Sequence, residues 1–246
     1  MKPRKSIKKY VTKGYRRVRY KKGYGVHSPF AFSMITQVIN ENMYYYAYDK
    51  IRKLRQFSYK VRFSIKGISL KKKISTKKLF LIYRLINKFS PDNILQIGTD
   101  GIVSYTLGLG RNESKLFSVC NDIERTDSTI DFFQKHVEDY NTDKYYFITS
   151  DLKSGIEQLK DIPSFDFIFI HKGEGFENWN DLNLILEKAN KKTVILIEGI
   201  KNDEKMKSYW GCIKSNADVK VTMDLYDFGL AIFDDKLYKH HYIVSY

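Results

Sequence analysis

One short stretch, Asn93 to Ser104, constrains the fold more than any other part of the chain. It reads Asn-Ile-Leu-Gln-Ile-Gly-Thr-Asp-Gly-Ile-Val-Ser, so an apolar run meets a glycine turn and then resumes in apolar residues. Ile94, Leu95 and Ile97 predict a buried strand. The two glycines permit the tight turn and close backbone approach that a nucleotide-like ligand needs at the end of a parallel strand. The stretch predicts either a ligand site or an ordinary strand-to-helix turn.

Composition favours a globular protein without a disulfide framework. A chain of 246 residues that is 43% hydrophobic can bury one large core, or a core plus a small appendage. Its two cysteines, Cys120 and Cys212, offer neither a disulfide framework nor metal-ligand spacing, so a reducing cytoplasm is expected. The N-terminus lacks the apolar core of a signal peptide, and no apolar stretch reaches membrane-spanning length. We expect a cytoplasmic protein, with a peripheral position at the inner membrane surface as the alternative.

The charge is divided unevenly along the chain. Residues 1–90 hold 25 Lys and Arg against two acids, Glu41 and Asp49, which gives a net charge of +23. Residues 91–246 hold 18 Lys and Arg against 26 acids, which gives −8. A basic module of this kind is typical of proteins that contact nucleic acid, anionic membranes or an anionic substrate. The alternative is a solvated surface that only keeps the protein in solution.

The pattern divides the chain into three parts. Residues 1–25 have 11 Lys and Arg, no acid and no apolar periodicity, which predicts a basic arm that is mobile unless bound. Residues 26–75 form a predicted helical extension, in which Ser28 caps a helix that begins at Pro29. Residues 76–246 are the third part, and there the pattern becomes regular.

Strands and helices alternate from residue 76 onward. Apolar runs predict strands at 94–97, 115–120, 145–149, 165–170 and 193–197, with a helical pattern between each pair. This alternation predicts an α/β fold with a Rossmann-like, doubly wound, mostly parallel sheet. Three further runs, at 219–225, 229–233 and 242–244, have no helix between them and predict an antiparallel C-terminal edge.

These features together resemble the class I S-adenosylmethionine-dependent methyltransferases, and within them the O-methyltransferases related to catechol O-methyltransferase. The resemblance covers roughly residues 76–246, and Ile94 to Ser104 resembles the first methyltransferase motif. The segment Gly-Tyr-Gly-Val-His-Ser-Pro-Phe from Gly23 and the ending from Val221 are similar to a bacterial subgroup of uncharacterised methyltransferase-like proteins. The glycine spacing does not match Gly-x-Gly-x-x-Gly, which argues against a nicotinamide dehydrogenase.

The resemblance implies a set of cofactor-binding positions for S-adenosylmethionine. They are Gln96, Gly98, Thr99, Gly101, Ser104, Cys120, Asp122, Ser150 and Asp151. Three positions depart from the family. Gln96 stands where the first motif has an acid, Ile102 where it has its last glycine, and Cys120 where the second strand ends in an acid. Asp122 lies two residues further on and is expected to reach the ribose if the loop bends, while Asp151 is expected to contact the adenine.

The implied reaction centre departs from the catechol-type branch as well. That branch holds a divalent cation with acids after the fourth and fifth strands, where this chain has His171-Lys172 and Glu198-Gly199. One His and one Glu beside a lysine make a poor magnesium site, so no metal is expected. His171 is the candidate general base for an acceptor hydroxyl, with Glu198 orienting it. The alternative is a drifted strand end in a catalytically degenerate protein.

The sequence thus supports two functions. The first is a metal-independent methyltransferase that acts on an O- or N-acceptor, either a small molecule or an anionic one. The second is a degenerate methyltransferase-fold protein that binds anionic partners through residues 1–90, by weak contact with nucleic acid or an anionic membrane.

Overall fold

The structure, a computed structural model, describes residues 4–20, 23–64, 74–172 and 179–246. The lysine-rich end of the predicted extension lies outside these ranges. The strands are β1 (Asn93–Ile97), β2 (Lys115–Cys120), β3 (Tyr145–Thr149), β4 (Phe165–Ile170), β5 (Ala189–Glu198), β6 (Val221–Asp224), β7 (Phe228–Ile232) and β8 (His240–Ile243). The helices are α1 (Arg4–Arg19), α2 (Pro29–Ser33, continuing as a π-helical turn over Met34–Ile39), α3 (Ala47–Ser64), α4 (Thr76–Phe89), α5 (Gly101–Leu107), α6 (Ile123–His136), α7 (Leu152–Gln158), α8 (Trp179–Glu187) and α9 (Glu204–Ser215).

The strands of the described residues form one sheet in the order β3-β2-β1-β4-β5-β7-β6-β8. The first five strands of this order are parallel, and β7 runs antiparallel to both β5 and β6. The predicted doubly wound sheet and its antiparallel edge are confirmed. The last strand differs from the prediction, because β8 pairs in parallel with β6.

Helices cover both faces of the sheet. One face carries the side chains of Ile94, Phe169 and Leu196 toward α2, α3, α4, α5 and α6. The opposite face carries Leu95, Ile170 and their neighbours toward α7, α8 and α9. Burial on both faces explains the unbroken apolar runs of β1, β4 and β5.

Local capping sets the start of two helices, and the cap at Ser28 is the one that the sequence predicts. The side chain of Ser28 accepts a hydrogen bond from the amide of Ala31, and Ser75 accepts one from the amide of Lys78. Arg84 of α4 then joins the extension to the sheet domain. Its buried guanidinium donates to the carbonyls of Val38 and Ile39 and to the hydroxyl of Tyr48.

The N-terminal arm is a helix, which the sequence analysis did not predict. Arg4–Arg19 forms α1, and Arg16 is 6% exposed. Its guanidinium makes two hydrogen bonds to the carboxylate of Asp224, at 2.9 and 3.0 Å. Sequence patterns did not indicate this contact, because Asp224 lies near the other end of the chain. None of the helices in the described residues is both long and apolar enough to cross a membrane.

Candidate functional site

The candidate site lies at the edge of the sheet where the parallel strands end. Ile97, Ile170 and Ile197 occupy equivalent positions in β1, β4 and β5. The residues that follow each of them therefore emerge side by side at this edge. In a doubly wound sheet, ligands bind outside the carboxyl ends of the strands.

A left-handed glycine makes the turn at the end of β1. Gly98 has φ +82°, a conformation that side chains with a Cβ rarely adopt. Its amide donates to the carbonyl of Val119 at 2.7 Å, and its carbonyl accepts from the hydroxyl of Ser118 at 3.2 Å. The turn is thus fixed against β2, and the predicted glycine requirement at Gly98 has a backbone cause.

The next two predicted positions in this loop pack against α6. The buried hydroxyl of Thr99 donates to that of Thr129 at 3.3 Å. A Cβ on Gly101 would lie 2.7 Å from the ring of Phe132. The described contact at Gly101 is therefore helix packing rather than close approach to a ligand.

Gln96, Ser104 and His171 form a buried hydrogen-bonded network. The Gln96 amide lies 2.7 Å from Nε2 of His171 and 2.8 Å from Oγ of Ser104. The Ser104 hydroxyl also lies 3.0 Å from the carbonyl oxygen of Asp100. All three side chains are at most 6% exposed. Gln96 therefore holds the His171 ring, the role that the sequence analysis gave to Glu198.

The orientation of the Gln96 amide decides which His171 nitrogen can accept a proton. When the amide nitrogen faces the ring, it donates to Nε2, so neutral His171 carries its proton on Nδ1. When the amide is turned by about 180°, its oxygen accepts from Nε2–H and its nitrogen donates to Ser104. Ser104 then donates to the carbonyl of Asp100.

The ends of β2 and β3 each present a carboxylate that caps a helix. Asp122 accepts from the amide of Arg125 at 3.1 Å and begins α6. Asp151 accepts from the amide of Ser154 at 3.1 Å and begins α7, and bonds from Ser154 lower the pKa of its exposed carboxyl. Capping occupies one oxygen of each carboxylate. The second oxygen of each can accept a further hydrogen bond.

The neighbours of these two carboxylates are tied to the backbone. Cys120 is buried, and its thiol lies 3.8 Å from the carbonyl oxygen of Asp122. The Ser150 hydroxyl donates to the carbonyl of Asp151 at 3.0 Å. Arg125 donates to the carbonyl of Thr99 at 2.6 Å, which places a guanidinium beside the glycine turn.

Glu198 at the end of β5 belongs to a charged cluster. Nζ of Lys78 lies 2.7 Å from Oε1 of Glu198 and also contacts the carboxylate of Asp227. Burial alone would lower the pKa of Lys78, but Glu198 and Asp227 together raise it. Burial would likewise raise the pKa of Asp227, but Lys78 outweighs it and the net shift is downward.

Comparison with solved structures identifies the fold. The O-methyltransferase from Bacillus cereus in complex with SAH has a TM-score of 0.56 and 17% identity, and the match covers 80% of this chain and 95% of that one. The SAH-bound methyltransferase PaMTH1 of Podospora anserina gives 0.61 and 11%, over 83% and 95%. The O-methyltransferase TomG of Streptomyces achromogenes in complex with SAM gives 0.56 and 14%, over 75% and 89%. The chain has the class I methyltransferase fold. No protein-family model and no curated protein sequence matches it.

Within this methyltransferase fold, the structure brings the predicted residues to one edge but divides them into separate groups. Gln96, Ser104 and His171 share one network, Asp122 and Asp151 cap separate helices, and Glu198 joins Lys78.

The sequence analysis missed two residues of the charged cluster. Lys78 and Asp227 were not among the predicted site residues. In the structure, a lysine on the first turn of α4 pairs with Glu198 at the end of β5 and with Asp227. That pairing joins positions 120 residues apart, so local patterns do not reveal it.

The charged side chains near the ends of β4 and β5 include lysines as well as carboxylates. A Cβ on Gly199, which has φ +89°, would lie 2.9 Å from Cγ of Lys172. Lys172 thus lies against Gly199 and Lys78 against Glu198, so ammonium groups lie beside the end of β5. In the described part of the chain, no three His, Cys, Asp or Glu side chains are grouped as a metal site.

Proposed function

We propose that this protein is a methyltransferase that uses S-adenosylmethionine and transfers its methyl group, without a metal ion, to an oxygen or nitrogen acceptor. The observation that carries this proposal is the left-handed turn at Gly98 in a class I methyltransferase fold. Two carboxylates with an available oxygen, Asp122 and Asp151, lie at the ends of the adjoining strands. A glycine turn flanked by acceptors for hydroxyl and amino groups suits a nucleoside cofactor.

The residues present fit this cofactor in part. Asp122 would accept from the ribose hydroxyls, and Asp151 from the adenine amino group. Ser104 is less suited to hold the cofactor's carboxylate, because its hydroxyl is already bonded to Gln96 and Asp100. When bound, S-adenosylmethionine would supply an electrophilic methyl group on a sulfonium.

The charge around the turn should distinguish the two forms of the cofactor. Gln96 supplies no negative charge where the family's first motif has an acid. S-adenosylmethionine carries a positive sulfonium that S-adenosylhomocysteine lacks. Because the acid's attraction for that sulfonium is absent here, we expect S-adenosylhomocysteine to bind more tightly than S-adenosylmethionine.

His171 is the proposed base. A neutral imidazole at this position would take the proton from an acceptor hydroxyl or amine. Gln96 acts as a positioning residue because it fixes the ring. Holding the acceptor in line with the methyl group is the larger part of the catalysis.

The ammonium group of Lys78 takes the place that a metal cation would have beside Glu198. Lys78 holds the carboxylates of Glu198 and Asp227 together, so these oxygens are neutralised by an ammonium group. Magnesium would have to displace that ammonium. Cofactor binding and transfer should therefore be unaffected by a chelator or by added magnesium.

A second candidate is a degenerate methyltransferase-fold protein without transfer activity. The burial of His171 favours it, because a ring that is 6% exposed and bonded to Gln96 offers little access to an acceptor. The two candidates differ in what they predict for cofactor binding.

Isothermal titration of the full-length protein with both forms of the cofactor distinguishes them. The enzyme should bind S-adenosylhomocysteine with a micromolar dissociation constant and S-adenosylmethionine more weakly. Parallel titrations with chelator and with magnesium should give the same constants. Absence of heat at millimolar ligand would reject the methyltransferase and leave the degenerate protein. A magnesium requirement would reject the proposed role of Lys78.

A further inference from the structure

Helix α1 is amphipathic, with its polar side toward the protein. Arg4–Arg19 contains eight Lys and Arg and no acid. At about 100° per residue, Val11 and Val18 lie about 140° and 160° around the axis from Arg16. An ordinary surface helix buries its apolar side and exposes its charges. In α1 the buried Arg16 and the exposed Val11 and Val18 depart from this arrangement.

The anchor that fixes this orientation is specific. Arg16 forms a bidentate pair with Asp224, and its guanidinium lies 5.4 Å from the centre of the Tyr226 ring. Burial would raise the pKa of Asp224, but the Arg16 pair outweighs it and the net shift is downward. The cationic side of α1 is thus held against the end of β6.

The side of α1 that points away from this anchor is apolar and exposed. Val18 is 83% exposed, Tyr10 72%, Val11 65% and Tyr15 62%. We call these four residues the α1 stripe. Arg17 and Arg19 are exposed next to it. An apolar stripe with cations at its margins is the pattern of helices that lie in the interface of an anionic membrane.

We propose that α1 docks on an anionic phospholipid bilayer, with the α1 stripe inserted at the level of the headgroups. The flanking Arg17 and Arg19 would contact lipid phosphates, while their alkyl stems cover apolar surface. Charge complementarity selects an anionic surface rather than a neutral one, because the helix contains no acid and seven cations besides Arg16, which Asp224 neutralises.

The valines favour a membrane over nucleic acid. Tyrosines can stack on bases and arginines can bind phosphates, but the two exposed valines can do neither. In a bilayer the same valines leave water, which is favourable in proportion to the apolar area removed. The stripe therefore has a function on lipid that it lacks on a phosphate backbone.

This docking would bring the carboxyl edge of the sheet close to the membrane. Asp224 and Tyr226, which hold α1, are followed by Asp227 of the charged cluster. The docking itself is independent of the proposed methyl transfer. A protein that failed to bind the cofactor would still be expected to bind vesicles.

Flotation of the full-length protein with vesicles tests the proposal. The vesicles are phosphatidylcholine alone, or phosphatidylcholine with one third phosphatidylglycerol, at low and at physiological salt. The native protein should float with the anionic vesicles, more so at low salt, and should not float with the neutral ones.

Two variants separate the apolar and charged contributions. Val11→Gln with Val18→Gln should weaken binding to anionic vesicles roughly tenfold, and because Gln forms helices better than Val, a weaker helix cannot be the cause. Arg17→Gln with Arg19→Gln should weaken it by about the same factor and reduce its salt dependence. Met43→Gln with Tyr46→Gln removes exposed apolar residues elsewhere and should have no effect. Lys153→Gln with Lys160→Gln is the matched charge control.

A fluorescent label reports insertion directly. A nitrobenzoxadiazole group on Val18→Cys, in protein that also carries Cys212→Ser, should shift its emission to the blue with anionic vesicles. The same label on Tyr46→Cys should not shift.

Three results would overturn the proposal. The first is the absence of vesicle binding at low salt, and the second is equal binding by native protein and the Val11→Gln, Val18→Gln variant. The third is binding of duplex DNA or RNA that this variant retains while vesicles are not bound, which would assign the cations to nucleic acid.

Discussion

Two clusters at the same edge of the sheet solve the problem of buried polar groups in different ways. Gln96, Ser104 and His171 form a network of amide, hydroxyl and imidazole groups at the ends of β1 and β4. Lys78, Glu198 and Asp227 form an ion cluster beside β5. We call them the amide network and the ion cluster.

The difference follows from exposure. The amide network is buried, and an unpaired charge there would be costly. The side chains of the ion cluster are 17–32% exposed, and two carboxylates face one ammonium, with Lys172 nearby. The amide network can hold a base in place, whereas the ion cluster can fix the position of elements and exclude a metal.

The largest effect is expected from removing the cation of the ion cluster. Lys78→Ala leaves two carboxylates close together and partly buried, which should lower the free energy of unfolding by about 2–3 kcal/mol. Lys88→Ala, an exposed lysine on the same helix, is the control and should stay within about 0.5 kcal/mol of native. Urea unfolding measures both. Equal values for the two variants would show that the ion cluster contributes nothing.

Breaking the amide network should cost somewhat less. Gln96→Leu keeps the volume but leaves His171 and Ser104 without their shared partner, so we expect a loss of about 1–3 kcal/mol in urea unfolding. The same variant should lower methyl transfer more than cofactor binding, since the ring is no longer held. Unchanged stability together with unchanged transfer would show that Gln96 does not position His171.

Acid should affect the ion cluster and the α1 anchor. The pKa values of Asp224 and Asp227 are both lowered in the folded protein. Their contribution to stability is therefore present above the unfolded pKa of about 3.9 and is lost as the pH falls through the lower folded values. The melting temperature should drop over this range, less steeply in Asp227→Asn and as steeply in Gln96→Leu. An Asp227→Asn profile that matches native would contradict this.

The smallest effect concerns Asp151, which has two roles. Asp151→Ser keeps a helix cap but removes the carboxylate proposed to bind adenine, so cofactor binding should weaken with little change in stability. Asp151→Ala should lose both the cap and the contact. Equal cofactor affinity in native and Asp151→Ser protein would remove Asp151 from the site.

The sequence predicted what depends on neighbouring residues. The strands of the parallel sheet, the cap at Ser28 and the glycine turn at Gly98 all follow from spacing and local geometry. These features need no knowledge of distant contacts.

The sequence did not predict contacts between residues that lie far apart in the chain. Helix α1 was not predicted because Arg16 and Asp224 are 208 residues apart, and the orientation of Glu198 was not predicted because its partner, Lys78, precedes it by 120. The parallel pairing of β8 likewise depends on which edge of the sheet remains open. Each of these is a property of the assembled fold.

A titration of native protein and two glycine variants with S-adenosylhomocysteine tests most directly whether the turn at Gly98 holds the cofactor. Gly98→Ala puts a Cβ at φ +82°, whereas Gly211→Ala puts one on an exposed helical position with nothing within 4 Å. If the cofactor binds at this turn, we expect micromolar binding by native protein and Gly211→Ala, and loss of binding in Gly98→Ala. Equal binding by all three proteins, or by none, would contradict a cofactor site at this turn.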